Sequence, residues 1–534
     1  MQFSPIDWVI FIVYCLVIVG TGLWVSREKK GHVKDTKDYF LAGKALPFWA
    51  IGSSLIASNI SAEQFIGMSG SGFRVGLAIA TYEWMAAVTL LVVAWFFLPI
   101  YLKKGIFTMP QFLEERYDHR VRTLLAVFWL LVYVFVNLTS VLYLGALAIE
   151  GIMGFEMMYG IIFLVLFALI YSLYGGLEAV AWTDVVQVIV LLGGGLLTTY
   201  FALDAFADGG GAFAGFGKLI SEVPDRFNMI LYPGELMYTD DTGAMQDAYN
   251  LLPGLAVLLG GMWIANLFYW GCNQYIIQRA LAAKSLQEAQ RGLAFAGYLK
   301  LLLPLVVVIP GIVAYGLDAP ISRGDEAYPW LLSTFMGPGL KGLAFAALVA
   351  AIVSSLASMM NSTATIFTMD LYKTSRRGSL ATEAQLVKMG RIVSVVAVVI
   401  GALVAPQLAR LDQAFQYIQE YTGFISPGVL AIFVMGLFWR KSTPNAALVS
   451  AILSIPLSTA MKVMAPSIPF INRMGIVFLV SVVLIVVISY LEGKGRDHPK
   501  GISLQDLKII SDPIYTVMAF GILGITAALY AIFW

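Results

Sequence analysis

The chain has 534 residues, of which 59% are apolar or aromatic and only 13% are charged, and its mean hydropathy is +0.81. This composition excludes an ordinary soluble globular domain and indicates a polytopic membrane protein. The formal net charge is only +1, which says little because the charges are segregated by side, and we expect no nucleic-acid partner.

The predicted elements are apolar helices. A bilayer core about 30 Å thick needs roughly 20 mostly apolar residues for each helical crossing. Fourteen such stretches occur, near residues 7–25, 46–70, 77–102, 123–149, 157–174, 181–205, 252–277, 293–317, 341–369, 390–408, 414–439, 446–463, 474–491 and 513–533. The alternation typical of a transmembrane barrel is absent, and open sheet edges cannot be satisfied in lipid. The sequence therefore predicts an all-α membrane protein with about 14 transmembrane helices.

The basic residues predict the orientation. The run from Arg27 to Lys34 follows the first apolar stretch instead of preceding it, so we expect a retained first helix whose N-terminus is outside. With that start, 25 of the 34 Lys and Arg residues fall in cytoplasmic loops, 8 fall outside, and Lys300 lies within a span. This asymmetry agrees with the positive-inside rule. We expect an integral plasma membrane protein, in a bacterial inner membrane, with both termini outside and no obligate protein partner.

The sequence offers no means of using ATP as an energy source. The sequence contains no G-x-x-x-x-G-K-[S/T] motif, and no hydrophilic segment is long enough for an ATPase or kinase module. The sequence also shows neither a nucleophile paired with a base nor a set of metal ligands, either of which would indicate an enzyme. We therefore expect a protein that is not an enzyme and that draws any energy from an ion gradient.

The second predicted span contains the stretch IASNISAEQFIG at 56–67. Its Ser and Asn side chains compete with helical backbone hydrogen bonds, and nearby glycines weaken the helix. Unwinding would free carbonyl oxygens, which are tolerated at membrane depth only where they line a cavity or meet a cation. Sodium is a hard cation that prefers oxygen ligands, and the hydroxyls of Ser354 and Ser355 in the ninth span could complete its site. The alternative is that these serines bond to their own helix.

A second weakened span covers residues 260–274, where glycines and an aromatic cluster surround Asn266. The aromatic cluster consists of Trp263, Phe268, Tyr269 and Trp270. Glycine-interrupted spans in corresponding positions of two halves indicate a transporter site. We therefore predict one transporter domain over 1–534, divided as follows: a leading helix at 7–25, a first repeat at 46–205, a second repeat at 252–439, and three C-terminal helices within 446–533.

Ionisable residues inside the spans are costly and indicate function. Glu83 and Asp184 lie only a few residues inside their spans, so headgroup water is an alternative environment for both. Lys300 could extend towards the cytoplasmic surface, although it lies eight residues inside its span.

Five motifs carry a resemblance to a known family. They are NISAEQFIGMSGSG at 59–72, YGGLEAVAWTDVVQ at 174–187, WIANLFYWGCNQYIIQR at 263–279, AAIVSSLASMMNSTATIFTMDLY at 350–372 and FQYIQEYTGFISPG at 415–428. In this order they closely resemble the sodium:solute symporter family, and within it the bacterial sodium/galactose (sodium/glucose) cotransporter branch. The resemblance implies a LeuT-like core of two inverted five-helix repeats.

The resemblance also implies site residues. The sodium site would use the backbone carbonyls of Ala57, Ile60 and Ala351 with the hydroxyls of Ser354 and Ser355, and Asp184 would lie on the ion path to the cytoplasm. The sugar site would use Gln64, Glu83, Asn266, Lys300, Gln419 and Tyr269. The gates would be Met68, Tyr82, Phe415, Tyr269 and Trp270, with Asn59 bracing Tyr269. One position differs from the family's galactose transporter, which has a serine where this chain has Ala86.

Charge balance agrees with a neutral, hydroxylated substrate. Glu83 and Lys300 carry no net charge together, and with three amides they offer donors and acceptors for a ring of hydroxyls. We expect sodium-coupled symport of a hexose, galactose or glucose, by alternating access. The alternatives are a proton-coupled sugar symporter that depends on Asp184 or Glu83, a sodium symporter for another small polar solute such as myo-inositol, and a membrane sensor or channel.

Overall fold

The structure is a computed structural model that describes residues 3–27, 34–240, 243–410, 422–503 and 512–534. Ten helices within these ranges are long and apolar enough to cross a bilayer: Pro5–Val25, Glu63–Lys104, His119–Met153, Gly175–Phe206, Leu286–Gly316, Leu340–Tyr372, Glu383–Leu408, Pro444–Met464, Phe470–Gly493 and Pro513–Ile532. Shorter apolar helices occupy Met157–Leu173 and Ser426–Phe438. The all-α prediction is confirmed, whereas the number of fourteen crossings stays a prediction.

The remaining elements are short. Helices occupy Thr36–Leu41, Phe48–Asn59, Met109–Arg116, Ala212–Glu222, Gln274–Leu281 and Ala327–Phe335. The loop after Phe206 contains an antiparallel hairpin, in which Met237–Thr239 pairs with Met245–Asp247. These are the only strands in the described ranges.

The first broken helix confirms the interruption expected near residue 60. Helix Phe48–Asn59 ends at Asn59, and Ile60 adopts an extended backbone with φ −77° and ψ 116°. The chain becomes helical again as a π-helix over Glu63–Met68. Because hydrogen bonding is interrupted at this point, the carbonyl oxygens at the end of Phe48–Asn59 lack continuous helical partners.

The second broken helix lies within 248–281. Its segments Ala248–Leu259 and Gly261–Cys272 meet at an angle of 79°. A further break follows at Asn273, whose backbone is extended with φ −87° and ψ 123°. Asn266 itself lies inside a regular turn of helix Gly261–Leu267, so the irregular backbone is at both ends of the aromatic cluster and not at Asn266.

The buried centre of the molecule is helix Leu340–Ile366, which packs against helices Met157–Leu173, Gly175–Phe206 and Phe48–Asn59. Small residues permit this close approach. A Cβ atom at Gly194 would lie 2.7 Å from the Cβ of Ala347. The packing places the hydroxyls of the ninth predicted span directly beside the break in the second.

Candidate functional site

A cavity of about 120 Å³ lies between the two broken helices. A cavity needs roughly 10–15 Å³ to hold one water molecule, so this cavity can hold a much larger ligand. Five predicted binding residues line it: Gln64, Glu83, Asn266, Tyr269 and Lys300. Met68, Tyr82 and Trp270 from the predicted gates, Asn59 and Ala86 line it as well. Phe415 and Gln419 lie outside the described residues.

A buried ion pair forms one part of the cavity wall. The ammonium group of Lys300 donates hydrogen bonds to a carboxylate oxygen of Glu83 and to the amide oxygen of Asn59. Lys300 is 1% exposed and Glu83 is 3% exposed. The interpretation that Lys300 extends to the cytoplasmic surface is therefore wrong, and Glu83 faces its cationic partner instead of headgroup water.

Asn59 also contacts the aromatic part of the wall. Its amide nitrogen donates to the hydroxyl of Tyr269 at 2.9 Å, and the hydroxyl of Tyr275 donates to the same oxygen at 2.6 Å. The rings of Tyr269 and Trp270 lie 5.1 Å apart at their centroids. These aromatic faces provide an apolar surface of the kind that complements the C–H face of a pyranose ring.

The two predicted binding amides in the cavity wall, Gln64 and Asn266, are partly engaged by the protein. The amide oxygen of Gln64 accepts hydrogen bonds from the backbone N–H and the hydroxyl of Ser61, at 2.9 and 3.1 Å. Asn266 donates from its amide nitrogen to the carbonyl of Met262 at 3.2 Å. Gln64 therefore presents its NH₂ group to the cavity, and Asn266 presents its amide oxygen.

An oxygen cluster lies beside the first break. The hydroxyl of Ser355 is 3.0 Å from the carbonyl oxygen of Ser58 and 3.1 Å from that of Ile60. The hydroxyl of Ser354 donates to the Asp184 carboxylate at 2.5 Å. Both serines thus contact other helices, and the interpretation that they bond only to their own helix is wrong.

The other two predicted sodium ligands, Ala57 and Ala351, lie one helical turn before residues of this cluster, and their role stays a prediction. Ala57 and Ala351 are fully buried, and each precedes Ile60 or Ser354 by three residues, about one helical turn. The carbonyl end of helix Phe48–Asn59 carries the negative end of the helix dipole. Hydroxyl and carbonyl oxygens beside this terminus form a ligand set that suits a hard monovalent cation such as sodium.

Asp184 contacts more groups than the sequence indicated. Ser54 donates to its second carboxylate oxygen at 2.5 Å, and the guanidinium of Arg279 donates to Ser54 at 3.2 Å and to Ser358. Asp184 and Arg279 are both 0% exposed. Asp184 therefore does not face headgroup water. Arg279 follows the predicted span at 252–277 and so counts among the 25 basic residues expected in cytoplasmic loops, but it lies in buried helix Gln274–Leu281.

The hydroxyl of Ser58 lies 3.4 Å from the Asp184 carboxylate and 2.7 Å from the hydroxyl of Ser358. Sequence reasoning missed Arg279, Ser54 and Ser58 as members of this cluster. The available signal was an arginine eight residues beyond the last glycine of an apolar span whose helix is interrupted, with serines repeated at 54, 58, 354 and 358. That signal indicates polar helix faces but cannot pair them, because the pairing depends on how separate helices pack.

The comparison with family models agrees with the site geometry. The model of the sodium:solute symporter family matches residues 39–454, which include both broken helices and the serine pair. The chain belongs to this family.

Curated relatives match most or nearly all of the chain. It is 51% identical to a sodium/glucose cotransporter of Vibrio parahaemolyticus, over 99% of this chain and 98% of that protein. It is 34% identical to sodium/myo-inositol cotransporter 2 of Mus musculus, over 85% of this chain and 69% of that protein. It is also 34% identical to sodium/glucose cotransporter 2 of Rattus norvegicus, over 83% of this chain and 69% of that protein. All three are transporters, in agreement with the expectation that the chain is not an enzyme.

Solved structures share the fold. A sodium-coupled sialic acid symporter, in a substrate-bound outward-open state, matches with a TM-score of 0.79 at 23% identity, over 92% of this chain and 98% of that one. The nucleobase-cation symporter Mhp1 matches with a TM-score of 0.52 at 13% identity, over 91% and 99% of the two chains. The LeuT-like fold implied by the motifs is thereby confirmed.

Proposed function

We propose that the protein carries a neutral hexose, galactose or glucose, into the cell together with sodium by alternating access. Sodium and the sugar are its transported partners. The support is family membership, the similarity to a bacterial sodium/glucose cotransporter over 99% of the chain, and a cavity whose ion pair is balanced. A balanced pair suits an uncharged ligand, because a charged substrate would leave an unpaired charge in a low-dielectric site.

One observation carries the coupling of ion to sugar. Asn59 is the last residue of the broken helix, so its neighbours Ser58 and Ile60 present carbonyl oxygens to Ser355. The side chain of the same residue contacts Tyr269 and Lys300 in the cavity. A cation that orders the backbone at 58–60 therefore also orders Asn59, and through it the aromatic wall of the sugar site.

Coupling then follows from differential binding to two states. Sodium entering from outside organises the broken helix against Leu340–Ile366 and favours the conformation that binds sugar. Rocking of one helix bundle against the other exposes both to the cytoplasm. At about 2.3 kcal/mol per charge for 100 mV and about 1.4 kcal/mol for a tenfold gradient, one sodium ion supports accumulation of roughly several-hundred-fold.

Two competing functions remain distinguishable. Proton coupling would depend on Asp184 or Glu83, but Glu83 already pairs with Lys300 and Asp184 accepts from Ser54 and Ser354. A different polar solute such as myo-inositol is favoured by one of the relatives. Both alternatives share the cavity and differ in the driving ion or the ligand.

We propose the placement and repeat organisation expected from the sequence as well. The protein lies in a bacterial inner membrane with both termini outside, and residues 46–205 and 252–439 form inverted repeats. The support is the distribution of basic residues and the presence of an interrupted helix near the start of each repeat.

The test is uptake by proteoliposomes that contain the purified protein. Labelled galactose and glucose should accumulate with an inward sodium gradient and an inside-negative potential, and unlabelled hexose should compete while myo-inositol competes weakly. Potassium replaces sodium in the control. Uptake driven equally by a pH gradient without sodium would overturn sodium coupling, and competition by myo-inositol but not by hexoses would overturn the substrate.

A further inference from the structure

A second carboxylate faces the cavity and has no part in the site described above. Glu63 is the first residue of the π-helix after the break, and it lines the cavity. The hydroxyl of Ser140 donates to one of its oxygens at 2.8 Å. Within the described ranges, no cationic side chain lies within salt-bridge distance of Glu63. An unpaired carboxylate at membrane depth indicates a ligand.

An unsatisfied amide oxygen lies nearby. Asn137 also lines the cavity, and its amide oxygen is buried with no hydrogen-bond partner in the part of the chain that the structure describes. Ser140 connects the two residues, because its hydroxyl lies 3.0 Å from the backbone carbonyl of Asn137 while it contacts Glu63. We refer to Glu63, Asn137 and Ser140 as the acceptor cluster. A buried polar atom without a partner requires an explanation.

Three other acceptors of the cavity already accept hydrogen bonds from the protein. Lys300 donates to Glu83 and to the amide oxygen of Asn59. Ser61 donates twice to the amide oxygen of Gln64. A polyol presents an O–H donor at every hydroxyl, so its binding requires acceptors that the protein has not used. The acceptor cluster offers two, namely a carboxylate oxygen of Glu63 and the amide oxygen of Asn137.

We propose that Glu63, oriented by Ser140 and assisted by Asn137, accepts a hydrogen bond from one hydroxyl of the transported sugar and thereby determines which hexoses bind. This inference rests on the proposed function and adds a substrate contact to it. Hydrogen bonds to ionised acceptors are about twice as strong as neutral ones. The contact therefore distinguishes sugars by the presence of that one hydroxyl.

The proposal predicts a specific change in selectivity. In Glu63→Gln the acceptor loses its charge, and we expect the KM for the preferred hexose to rise about 10- to 100-fold. An analogue that lacks the contacted hydroxyl makes no bond to Glu63 in either protein. Its affinity should therefore be nearly the same in the wild type and in the variant, whereas analogues that lack other hydroxyls should weaken in parallel with the parent sugar.

The experiment measures inhibition of labelled hexose uptake by a series of monodeoxy hexoses in proteoliposomes. The wild type, Glu63→Gln, Glu63→Asp and the control Glu150→Gln are compared at saturating sodium. Glu150 belongs to helix Thr139–Met153, as Ser140 does, but it does not line the cavity, so its variant should behave as the wild type. Glu63→Asp keeps the charge and shortens the side chain, and it should also lose discrimination for one analogue.

Three results would overturn the proposal. The first is a uniform loss of affinity for the whole analogue series in Glu63→Gln, which would indicate a structural role. The second is unchanged sugar discrimination with an altered sodium dependence, which would indicate a cation at Glu63. The third is full recovery of wild-type selectivity by Glu63→Asp, which would show that charge alone matters. If Glu63→Gln fails to reach the vesicles, the same series on Glu63→Asp decides. Failure of the proposed function is seen separately, as absence of sodium-driven hexose uptake by the wild type.

Discussion

An inner and an outer helix of the protein have opposite surroundings. Of the most apolar stretch of Leu340–Tyr372, 94% is buried inside the protein, whereas for Phe470–Gly493 the figure is 28%. The inner helix carries serines whose hydroxyls contact neighbouring helices, as Ser354 and Ser355 do. The outer helix exposes Leu479 and similar side chains over much of its length. In a membrane protein, polar side chains with a function therefore lie on helices that are buried inside the protein, whereas helices at the lipid boundary present apolar side chains.

The comparison implies that equivalent serine changes have unequal effects in the two regions. We expect Ser354→Ala with Ser355→Ala to abolish sodium-stimulated hexose uptake, because both hydroxyls beside the broken helix are lost. The measurement is uptake as a function of sodium concentration. The matched control is Ser450→Ala with Ser481→Ala, two buried serines of the outer helices whose hydroxyls have no partner in the described part of the chain. Full sodium dependence in the inner double variant would contradict the proposed sodium site.

The inner ion pair should show strong coupling. Glu83→Gln leaves Lys300 buried without its carboxylate partner, and we expect it to lower the free energy of unfolding by about 3–5 kcal/mol. Glu83→Gln combined with Lys300→Met removes both charges and should recover most of that stability without recovering transport. Thermal unfolding in detergent and hexose uptake are measured together. Equal instability of the single and double variants would contradict the charge pairing.

The hydrogen bonds to the gate residue Tyr269 should affect the apparent affinity for sodium more than the apparent affinity for sugar. Tyr269→Phe retains the ring but loses the oxygen that accepts from Asn59 and Tyr275. At about 0.5–1.5 kcal/mol for each neutral hydrogen bond, we expect the sodium concentration for half-maximal uptake to rise roughly 5- to 10-fold. The KM for sugar at saturating sodium should change less than about 3-fold. The exposed Tyr159 provides the control Tyr159→Phe, and equal shifts in both parameters would count against the proposed link.

A smaller effect is expected where an outer helix begins. Asp512 accepts from Arg291 at 2.5 and 2.8 Å and from the backbone N–H of Tyr515 at 3.1 Å, at the start of helix Pro513–Ile532. The hydrogen bond from Arg291 holds the pKa of this carboxyl below its usual range. The ionised Asp512 carboxylate therefore stabilises the folded protein fully at any pH above the pKa that Asp512 has in the unfolded chain. This stabilisation is lost as the pH falls through the lower pKa that Asp512 has in the folded protein.

The corresponding variant is Asp512→Asn. We expect it to lower the free energy of unfolding at neutral pH by about 1 kcal/mol, the typical contribution of a helix cap, and to leave uptake kinetics unchanged. Unfolding followed from pH 7 downwards should show the difference from the wild type decreasing at strongly acidic pH. A change in sodium dependence would contradict the assignment of this contact to stability alone.

The smallest effect is expected on the lipid-facing side. Leu479 is 63% exposed from the protein, so Leu479→Ala should change the free energy of unfolding by less than about 0.5 kcal/mol. Thermal unfolding is again the measurement. A loss comparable to that of Glu83→Gln would show that this helix packs against protein instead of lipid.

Several features could be predicted because their causes are local. Apolar length indicated the helices, since the bilayer fixes how many residues a crossing needs. The Ser and Asn residues at 58–61 indicated the first break, since these side chains compete with the helical backbone. In the weakened span at 260–274 the glycines indicated an interrupted helix, and the structure has breaks at Gly260 and at Asn273, both within that segment.

Other features depend on contacts between distant segments. Arg279 resembles a boundary residue in the sequence, yet it lies buried beside Ser54 and Ser358, which are 225 and 79 residues away along the chain. Glu63 resembles a solvated helix start, yet it faces the cavity beside Asn137. No local pattern predicts such partners, because they arise from the packing of separate helices.

The sequence by itself determined a helical membrane protein, the site of the first break and the family. Hydropathy and backbone propensity act within a few residues, so they can be read along the chain. Only the tertiary structure decided that Lys300 pairs with Glu83, that Ser355 meets the carbonyls of Ser58 and Ile60, and that Glu63 faces the cavity without a cation. Buried polar groups must find partners wherever the packed helices provide them, and that choice is made in three dimensions.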